Sequence, residues 1–106
     1  MLGKIMEKAI TQNKKREEAE SLWIAVIQQN FEDAFELNPS GNISMSDIQI
    51  ARNWFYTKRC AEICEYVGTT RDHIQRLYHK LSDRYKAGLI TKDELRLAIR
   101  KLEKKL

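Results

Sequence analysis

The chain has 106 residues, of which 42% are hydrophobic, and it carries one proline, four glycines and a formal net charge of +4. This length predicts one domain with one modest core, and the scarcity of proline and glycine favours long helices. No apolar run approaches the roughly 20 residues that span a bilayer and the N-terminus lacks a signal-peptide cleavage pattern, so we expect a cytoplasmic protein without a membrane partner.

Charge is unevenly distributed along the chain. Residues 1–57 carry six Lys or Arg against eight Asp or Glu, whereas residues 58–106 carry thirteen against seven. The second half is therefore strongly basic. Because a basic surface attracts nucleic acids, anionic membranes and acidic proteins alike, charge names a class of partner and no more.

The first half of the chain predicts helices. Residues 1–20 are interpreted as an N-terminal helical extension with a polar second half. Apolar positions spaced by three and four between Leu22 and Phe35 predict a helix with one buried face. The segment NPSGN at residues 38–42 ends this helix, because a residue before proline avoids helical geometry.

A short helix follows that turn. Ser46 and Gln49 have the spacing of a capping box at its start. Ile50 and Trp54 lie outside its main apolar stripe, which indicates that the helix is covered on two sides.

Residues 60–81 contain both cysteines and both histidines, and they admit two interpretations. As a zinc site, the spacing C-x3-C-x8-H-x5-H is too short, because zinc fingers place about twelve residues between the two pairs. His73 and His79 are six positions apart, roughly 240° around a helix, and therefore face different directions. We expect no metal or cofactor, with Cys60 and Cys64 as reduced core thiols and the histidines at the surface.

The second interpretation is a helix-turn-helix. A helix from residue 59 to residue 67 ends at Gly68, and Thr70 caps a second helix that begins at Arg71. Such a motif requires a small buried residue four positions before the turn glycine, which is Cys64 here, and apolar anchors on both helices. The anchors are Ile63, Val67, Ile74 and Leu77.

The last helix begins after a second glycine. Gly88 ends the preceding helix, and Thr91 with Glu94 forms a capping box. We therefore predict an all-α domain of five to six helices with a central helix-turn-helix. Its parts are an N-terminal extension over residues 1–20, a helix-turn-helix core over 21–88 and a C-terminal helix over 89–106 that is available for oligomerisation.

The outer side of the second motif helix carries the candidate DNA contacts. Arg can bind guanine through two hydrogen bonds, Gln can bind adenine in the same way, and Asp can accept from cytosine. The candidate base contacts are Arg71, Asp72, Gln75, Arg76 and His79. The candidate phosphate contacts, which position the protein without reading sequence, are Lys58, Arg59, Thr69, Thr70, Lys80 and Arg84. For any one of these residues alone, a solvated helix face is the simpler explanation.

Two stretches, LWIAVIQQNFEDAF and ARNWFYTKRCAEICEYVGTT, resemble small helix-turn-helix proteins encoded in phage and prophage genomes. The shared features are a Trp helix with a Gln and an Asp-Ala pair, an Ala-Arg-x-Trp segment and a Cys-x-x-x-Gly turn. The resemblance covers residues 22–78 and implies DNA binding in a transcription-related role. This chain departs from the group at Lys58, Arg59 and Cys60, where an apolar or aromatic residue is expected.

The stretch KLSDRYKAGLITKDELRLAIRKL resembles the C-terminal segments called SHOCT domains. The shared frame is a helix, a Gly-x-Ile-Thr turn at Gly88 and a capped helix with the acidic pair Asp93 and Glu94. Leu95 replaces the usual Phe. The resemblance implies assembly or attachment, and a helical hairpin that completes the fold is an equal alternative.

These observations favour a phage-type transcriptional regulator that binds double-stranded DNA. The alternative is a non-enzymatic adaptor or inhibitor that binds a host protein, such as part of the transcription machinery, through Trp23, Trp54 and the tyrosines. There is no Gly-rich phosphate loop, metal triad or paired nucleophile and base in the sequence, so we do not expect an enzyme.

We also expect a homodimer, because a lone module reads few base pairs. Two apolar surfaces are candidates for the dimer contact. One consists of Leu95, Ile99, Leu102 and Leu106, and the other of Ile5, Met6, Ala9 and Ile10.

Overall fold

A computed structural model describes residues 2–37, 43–104 and 106, with side chains from residue 18 onward. This part of the chain contains five α-helices and one 3-10 turn, and no strand, which confirms the predicted all-α fold. The elements are α1 Leu2–Ala34, α2 Met45–Trp54, α3 Lys58–Tyr66, α4 Arg71–Lys86, α5 Lys92–Arg100 and the 3-10 turn Leu102–Lys104. The predicted turn NPSGN lies outside the described residues.

The first helix is continuous from residue 2 to residue 34. Its 33 residues correspond to about 50 Å at 1.5 Å per residue, so α1 accounts for most of the molecule's longest dimension of 60 Å. Residues 18–22 of α1 are exposed, and full burial begins at Ile27. The predicted extension over residues 1–20 is therefore the first part of the same helix that enters the core.

The start of α2 differs from the prediction. Ser44, not Ser46, caps this helix, because its Oγ accepts a hydrogen bond from the Asp47 backbone N–H at 3.1 Å and donates to the Asp47 carboxylate at 2.8 Å. The prediction that α2 is covered on a second side is also wrong at Ile50, whose side chain is 64% exposed. Trp54, by contrast, packs partly buried against the core.

An aromatic cluster lies at the centre of the core. The Phe31 ring lies 4.9 Å from the Phe55 ring and 6.0 Å from the Tyr78 ring, and the rings of Phe55 and Tyr78 stack at 4.4 Å. This cluster joins α1, the end of α2 and α4, and the buried core as a whole contains residues from every helix. The buried core residues are Ile27, Phe31, Ala34, Leu37, Ala51, Phe55, Cys60, Ile63, Cys64, Ile74, Leu95, Ile99 and Leu102.

The C-terminal helix belongs to this core and is not a separate segment. Leu95, Ile99 and Leu102 are at most 1% exposed. The Gln28 side chain of α1 donates hydrogen bonds to the carbonyls of Ile99 and Arg100 at 3.3 and 3.2 Å, which satisfies free groups at the end of α5. Residues 89–106 therefore pack into the same core as the preceding helices.

This packing also corrects the predicted dimer surface at the C-terminus. An amphipathic stripe shows that one side of a helix is covered, but α1 and α4 of the same chain cover α5 here. Leu95, Ile99 and Leu102 are consequently unavailable to a second copy, and Leu106 is partly buried against the same core. The N-terminal alternative, with Ile5, Met6, Ala9 and Ile10, lies outside the side chains that the structure describes.

Candidate nucleic-acid interface

The predicted helix-turn-helix corresponds to α3, the connecting turn and α4, and we call residues 58–86 the α3–α4 motif. Gly68 has a φ of +78°, a left-handed conformation that L side chains rarely adopt. The Thr69 N–H donates to the Cys64 carbonyl at 2.9 Å, which closes the end of α3. The Thr70 side chain accepts from the His73 N–H at 3.1 Å and caps α4, as predicted. The start of α3 is shifted by one residue, because the side chain of Thr57 caps it.

The interior of the motif agrees with the predicted packing. Cys64 is fully buried four residues before Gly68, and Ile63 and Ile74 are buried beside it. Cys60 is also buried, and its Sγ lies 3.9 Å from the Cys64 Sγ. This hydrogen bond and burial raise the pKa of the Cys60 thiol, so it stays protonated near neutral pH. Both cysteines are core thiols, as expected from the sequence.

The histidines lie elsewhere in the motif. His79 is exposed and His73 is partly buried. Among the residues that the structure describes, no group of three or more His, Cys, Asp or Glu side chains converges as a metal site would. The Cys-Cys-His-His order in the sequence does not correspond to a convergent set of ligands.

Four of the predicted contact residues lie on the exposed side of α4. Asp72, Arg76, Lys80 and Arg84 follow one another at intervals of four residues and are all exposed. The Arg76 guanidinium forms an ion pair with the Asp72 carboxylate at 2.7 Å, and its side chain remains 79% exposed. Asp72 therefore orients Arg76 without removing it from solvent.

Two of the predicted base contacts do not belong to this exposed row. The Gln75 amide donates to the Phe55 carbonyl at 2.8 Å and is partly buried, so its predicted outward position is wrong. Arg71 is exposed, but its Nη1 donates to the Thr57 carbonyl at 3.3 Å and to the Tyr56 carbonyl at 3.5 Å. Both side chains hold α4 against the connection between α2 and α3. Because these acceptors lie 14 to 20 residues away, the local helical pattern did not reveal them.

His79 has a similar long-range partner. Its Nε2 lies 2.9 Å from the Tyr56 hydroxyl, and Tyr56 is 55% exposed. Tyr56 was not among the predicted site residues. Its position immediately before the Thr57 cap of α3 was the one sequence signal that could have drawn attention to it.

The remaining predicted phosphate contacts flank the turn and the start of α3. Lys58 and Arg59 are exposed in the first turn of α3, and the Arg59 guanidinium pairs with Glu62 at 3.4 Å. Thr70 is exposed, but its hydroxyl already caps α4, and Thr69 is partly buried. Lys58, Arg59, Lys80 and Arg84 are therefore the predicted phosphate contacts that are both exposed and positively charged.

A second cluster, which we call the Trp23 cluster, consists of the partly buried Trp23 and the exposed Arg59 and Tyr66. The rings of Trp23 and Tyr66 stack at 5.6 Å with an angle of 15° between their planes. The Arg59 guanidinium lies 5.4 Å from the centre of the Trp23 ring, within the range of a cation–π interaction. Tyr66 is 61% exposed, so this stack is on the surface.

No helix within the described residues has the length and apolar character that crossing a membrane requires. Comparisons with protein-family models, curated proteins and solved structures give no match.

Proposed function

We propose that this protein binds duplex DNA through the α3–α4 motif, with the exposed side of α4 in the major groove. The observation that carries the proposal is the row Asp72, Arg76, Lys80 and Arg84, which follows a glycine turn and lies opposite the buried anchors of α4. In helix-turn-helix proteins the second helix enters the major groove, and its N-terminal part contacts base edges. Arg76, in the second turn of α4, is well placed for such a contact.

Each charged residue then has a distinct role. Arg76 contacts guanine, with its guanidinium oriented by Asp72 at 2.7 Å. Lys80, Arg84, Lys58 and Arg59 contact phosphates. Arg71 and Gln75 act as positioning residues, because their donors are occupied by backbone carbonyls of residues 55–57.

We also propose that the DNA-bound form is a homodimer, since one motif of this size covers few base pairs. Leu95, Ile99 and Leu102 are buried within the chain, so the contact must use another surface. Sedimentation equilibrium with and without duplex measures the stoichiometry. Two chains per duplex support the dimer, and one chain per duplex at saturation contradicts it.

Salt dependence is the direct test of DNA binding. The affinity for a fluorescent duplex of about 25 base pairs, measured by anisotropy, should fall linearly on a logarithmic scale as salt increases. Four phosphate contacts predict a loss of about 100-fold between 50 and 200 mM salt. Absence of duplex binding, or an affinity that does not change with salt, would contradict the proposal.

The Trp23 cluster favours a second candidate function, that of an adaptor for another protein. Trp, Tyr and Arg dominate the binding energy of protein interfaces, and these three residue types are stacked together on one exposed surface. In this alternative the partner protein covers the stack, and DNA is not involved.

A capture experiment from nuclease-treated lysate separates the two candidates. An adaptor should retain one partner in stoichiometric amount, and Tyr66→Ala should abolish that retention. Leu89→Ala is the matched control, because Leu89 is 72% exposed and lies after α4, away from the stack in sequence. Equal retention by both variants would contradict a role for the Trp23 cluster.

A further inference from the structure

A cavity of about 270 Å³ lies between the end of α1, α2 and the second half of α4. Phe35, Tyr78 and Tyr85 are the aromatic residues among those that line it. The centroid of the Phe35 ring lies 5.3 Å from that of Tyr78 and 6.3 Å from that of Tyr85. Polar side chains line the remainder. This cavity is on the inner side of α4 and does not include the exposed row assigned to DNA.

Three lining residues on α4 carry hydroxyl groups. They are Tyr78, Ser82 and Tyr85, and none of these hydroxyls makes a hydrogen bond within the described part of the chain. Ser82 is only 8% exposed and is the one buried polar residue among those described. No fully buried side-chain N or O atom among the described residues lacks a hydrogen-bond partner, so these hydroxyls are in contact with solvent and can donate to a bound acceptor.

Arg52 supplies a positive charge at the same cavity. Its Nε donates to the Ala34 carbonyl at 3.2 Å, and its Nη2 lies 3.6 Å from the Glu36 carboxylate. A guanidinium has five donors, so N–H groups remain after these two contacts. Lys86 lines the cavity as a second cation, so among the described lining residues two cations accompany one carboxylate, that of Glu36.

The backbone at Glu36 is strained. Glu36 has a φ of +60° at the end of α1, where glycine is the usual residue. The Leu37 N–H donates to the Glu32 carbonyl at 2.8 Å and fixes this helix end. Glu36 thus has a costly backbone conformation, and its carboxylate lies beside Arg52. Strain of this kind clusters at ligand sites.

We propose that the cavity binds a small aromatic molecule that carries one oxyanion, either a carboxylate or a phosphate. The Arg52 guanidinium and the three hydroxyls bind the oxyanion, and the ring packs against Phe35 and the tyrosines. A cavity of about 150 Å³ holds benzene, so 270 Å³ accommodates a ring with one such group. Glu36 competes with the oxyanion for Arg52.

The protonation of Tyr78 is consistent with a donor role. Burial raises the pKa of the Tyr78 hydroxyl above its ordinary value, so the group keeps its proton at neutral pH. The site requires no contact with DNA and is independent of the function proposed above.

Titration of the ¹⁵N-labelled protein with small probes, followed by NMR, tests the site. Benzoate and phenyl phosphate are the two oxyanion probes. The two half-probes are benzyl alcohol, which has the ring without an oxyanion, and inorganic phosphate, which has the oxyanion without a ring. At least one oxyanion probe should shift the amide signals of residues 34–36, 52 and 78–86 and bind at least tenfold more tightly than both half-probes. Benzyl alcohol binding as tightly as the oxyanions, or shifts confined to other residues, would overturn the proposal.

Substitutions that remove single hydroxyls make the test specific. Tyr85→Phe and Ser82→Ala should each lower the affinity for the more tightly bound oxyanion probe by about threefold to tenfold, the effect of one lost hydrogen bond. Glu36→Gln should raise the affinity for the same probe, because it removes the carboxylate that competes with the oxyanion for Arg52. Tyr66→Phe and Ser46→Ala are matched controls at exposed positions and should leave the affinity unchanged. Unchanged affinity in both hydroxyl variants, with their thermal unfolding preserved, would overturn the assignment.

Discussion

The turn between α3 and α4 and the turn between α4 and α5 are built from the same local parts. Gly68 and Gly88 have φ angles of +78° and +73°. In both turns the N–H after the glycine donates to a carbonyl five residues earlier at 2.9 Å. A threonine then caps the next helix at 3.1 Å, Thr70 in the first turn and Thr91 in the second.

The two turns differ in the residue four positions before the glycine. Cys64 is small and fully buried there, whereas Arg84 is long and exposed. A groove of about 170 Å³, lined by Arg84, Leu77 and Ala98, lies between α4 and α5. The two turns therefore share their backbone geometry and caps, but only the first has a small buried residue before its glycine.

The largest expected difference between the turns is at this position. Cys64→Ser places a hydroxyl in an apolar site and should lower the free energy of unfolding by about 2 kcal/mol. Arg84→Ala changes an exposed side chain and should cost less than about 0.5 kcal/mol. Urea denaturation followed by circular dichroism measures both values. Similar losses in the two variants would mean that the turns are equivalent in packing as well.

The glycines should give equal and smaller effects. A Cβ at Gly68 or Gly88 would meet no atom within 4 Å. The cost of alanine at either position therefore comes only from the left-handed backbone conformation. Each Gly→Ala substitution should cost about 1 kcal/mol, and the two costs should agree within about 0.5 kcal/mol. The same denaturation experiment measures them. A much larger cost at Gly68 alone would indicate that the first turn is strained in a way the second is not.

The smallest expected effect concerns the caps. Thr91 has a reciprocal capping box, because the Glu94 carboxylate accepts from the Thr91 N–H at 3.2 Å, whereas α4 has His73 at the corresponding position. Glu94→Ala should therefore cost about 0.5 kcal/mol. Glu103→Ala, at an exposed acidic residue outside any helix cap, is the control for the change in charge. No difference between these variants would remove the distinction between the two caps.

Local patterns were sufficient to predict the two turns. Gly68, Thr70, Gly88 and Thr91 were identified because turn and cap preferences act within four residues. The same reasoning failed at α2, where Ser44 and Ser46 both precede a polar residue by three positions. The additional hydrogen bond from Ser44 to the Asp47 carboxylate, at 2.8 Å, is a contact that the pattern did not distinguish.

The candidate site was only partly predictable for a different reason. Helical periodicity placed Arg76, Lys80 and Arg84 on the exposed side of α4 correctly. It could not reveal that Gln75 and Arg71 bind carbonyls of residues 55–57, because those acceptors depend on how α2 packs. It likewise showed that one side of α5 is covered, but not that the same chain covers it.

The proposed DNA contacts also distinguish the helices that follow the two turns. Arg76 pairs with Asp72 on α4 at 2.7 Å, and Arg96 pairs with Asp93 on α5 at 3.4 Å. Each arginine has another cation four positions later, Lys80 or Arg100. The double variants Arg76→Ala with Lys80→Ala and Arg96→Ala with Arg100→Ala therefore remove the same charge from comparable helices.

Duplex affinity of these two double variants at fixed salt is the most direct test of DNA binding by α4. The α4 variant should bind at least about thirtyfold more weakly than the parent protein, because it loses a base contact and a phosphate contact. The α5 variant should lose less than about threefold, the effect of a lower overall charge. Equal losses in the two variants would contradict α4 as the recognition helix.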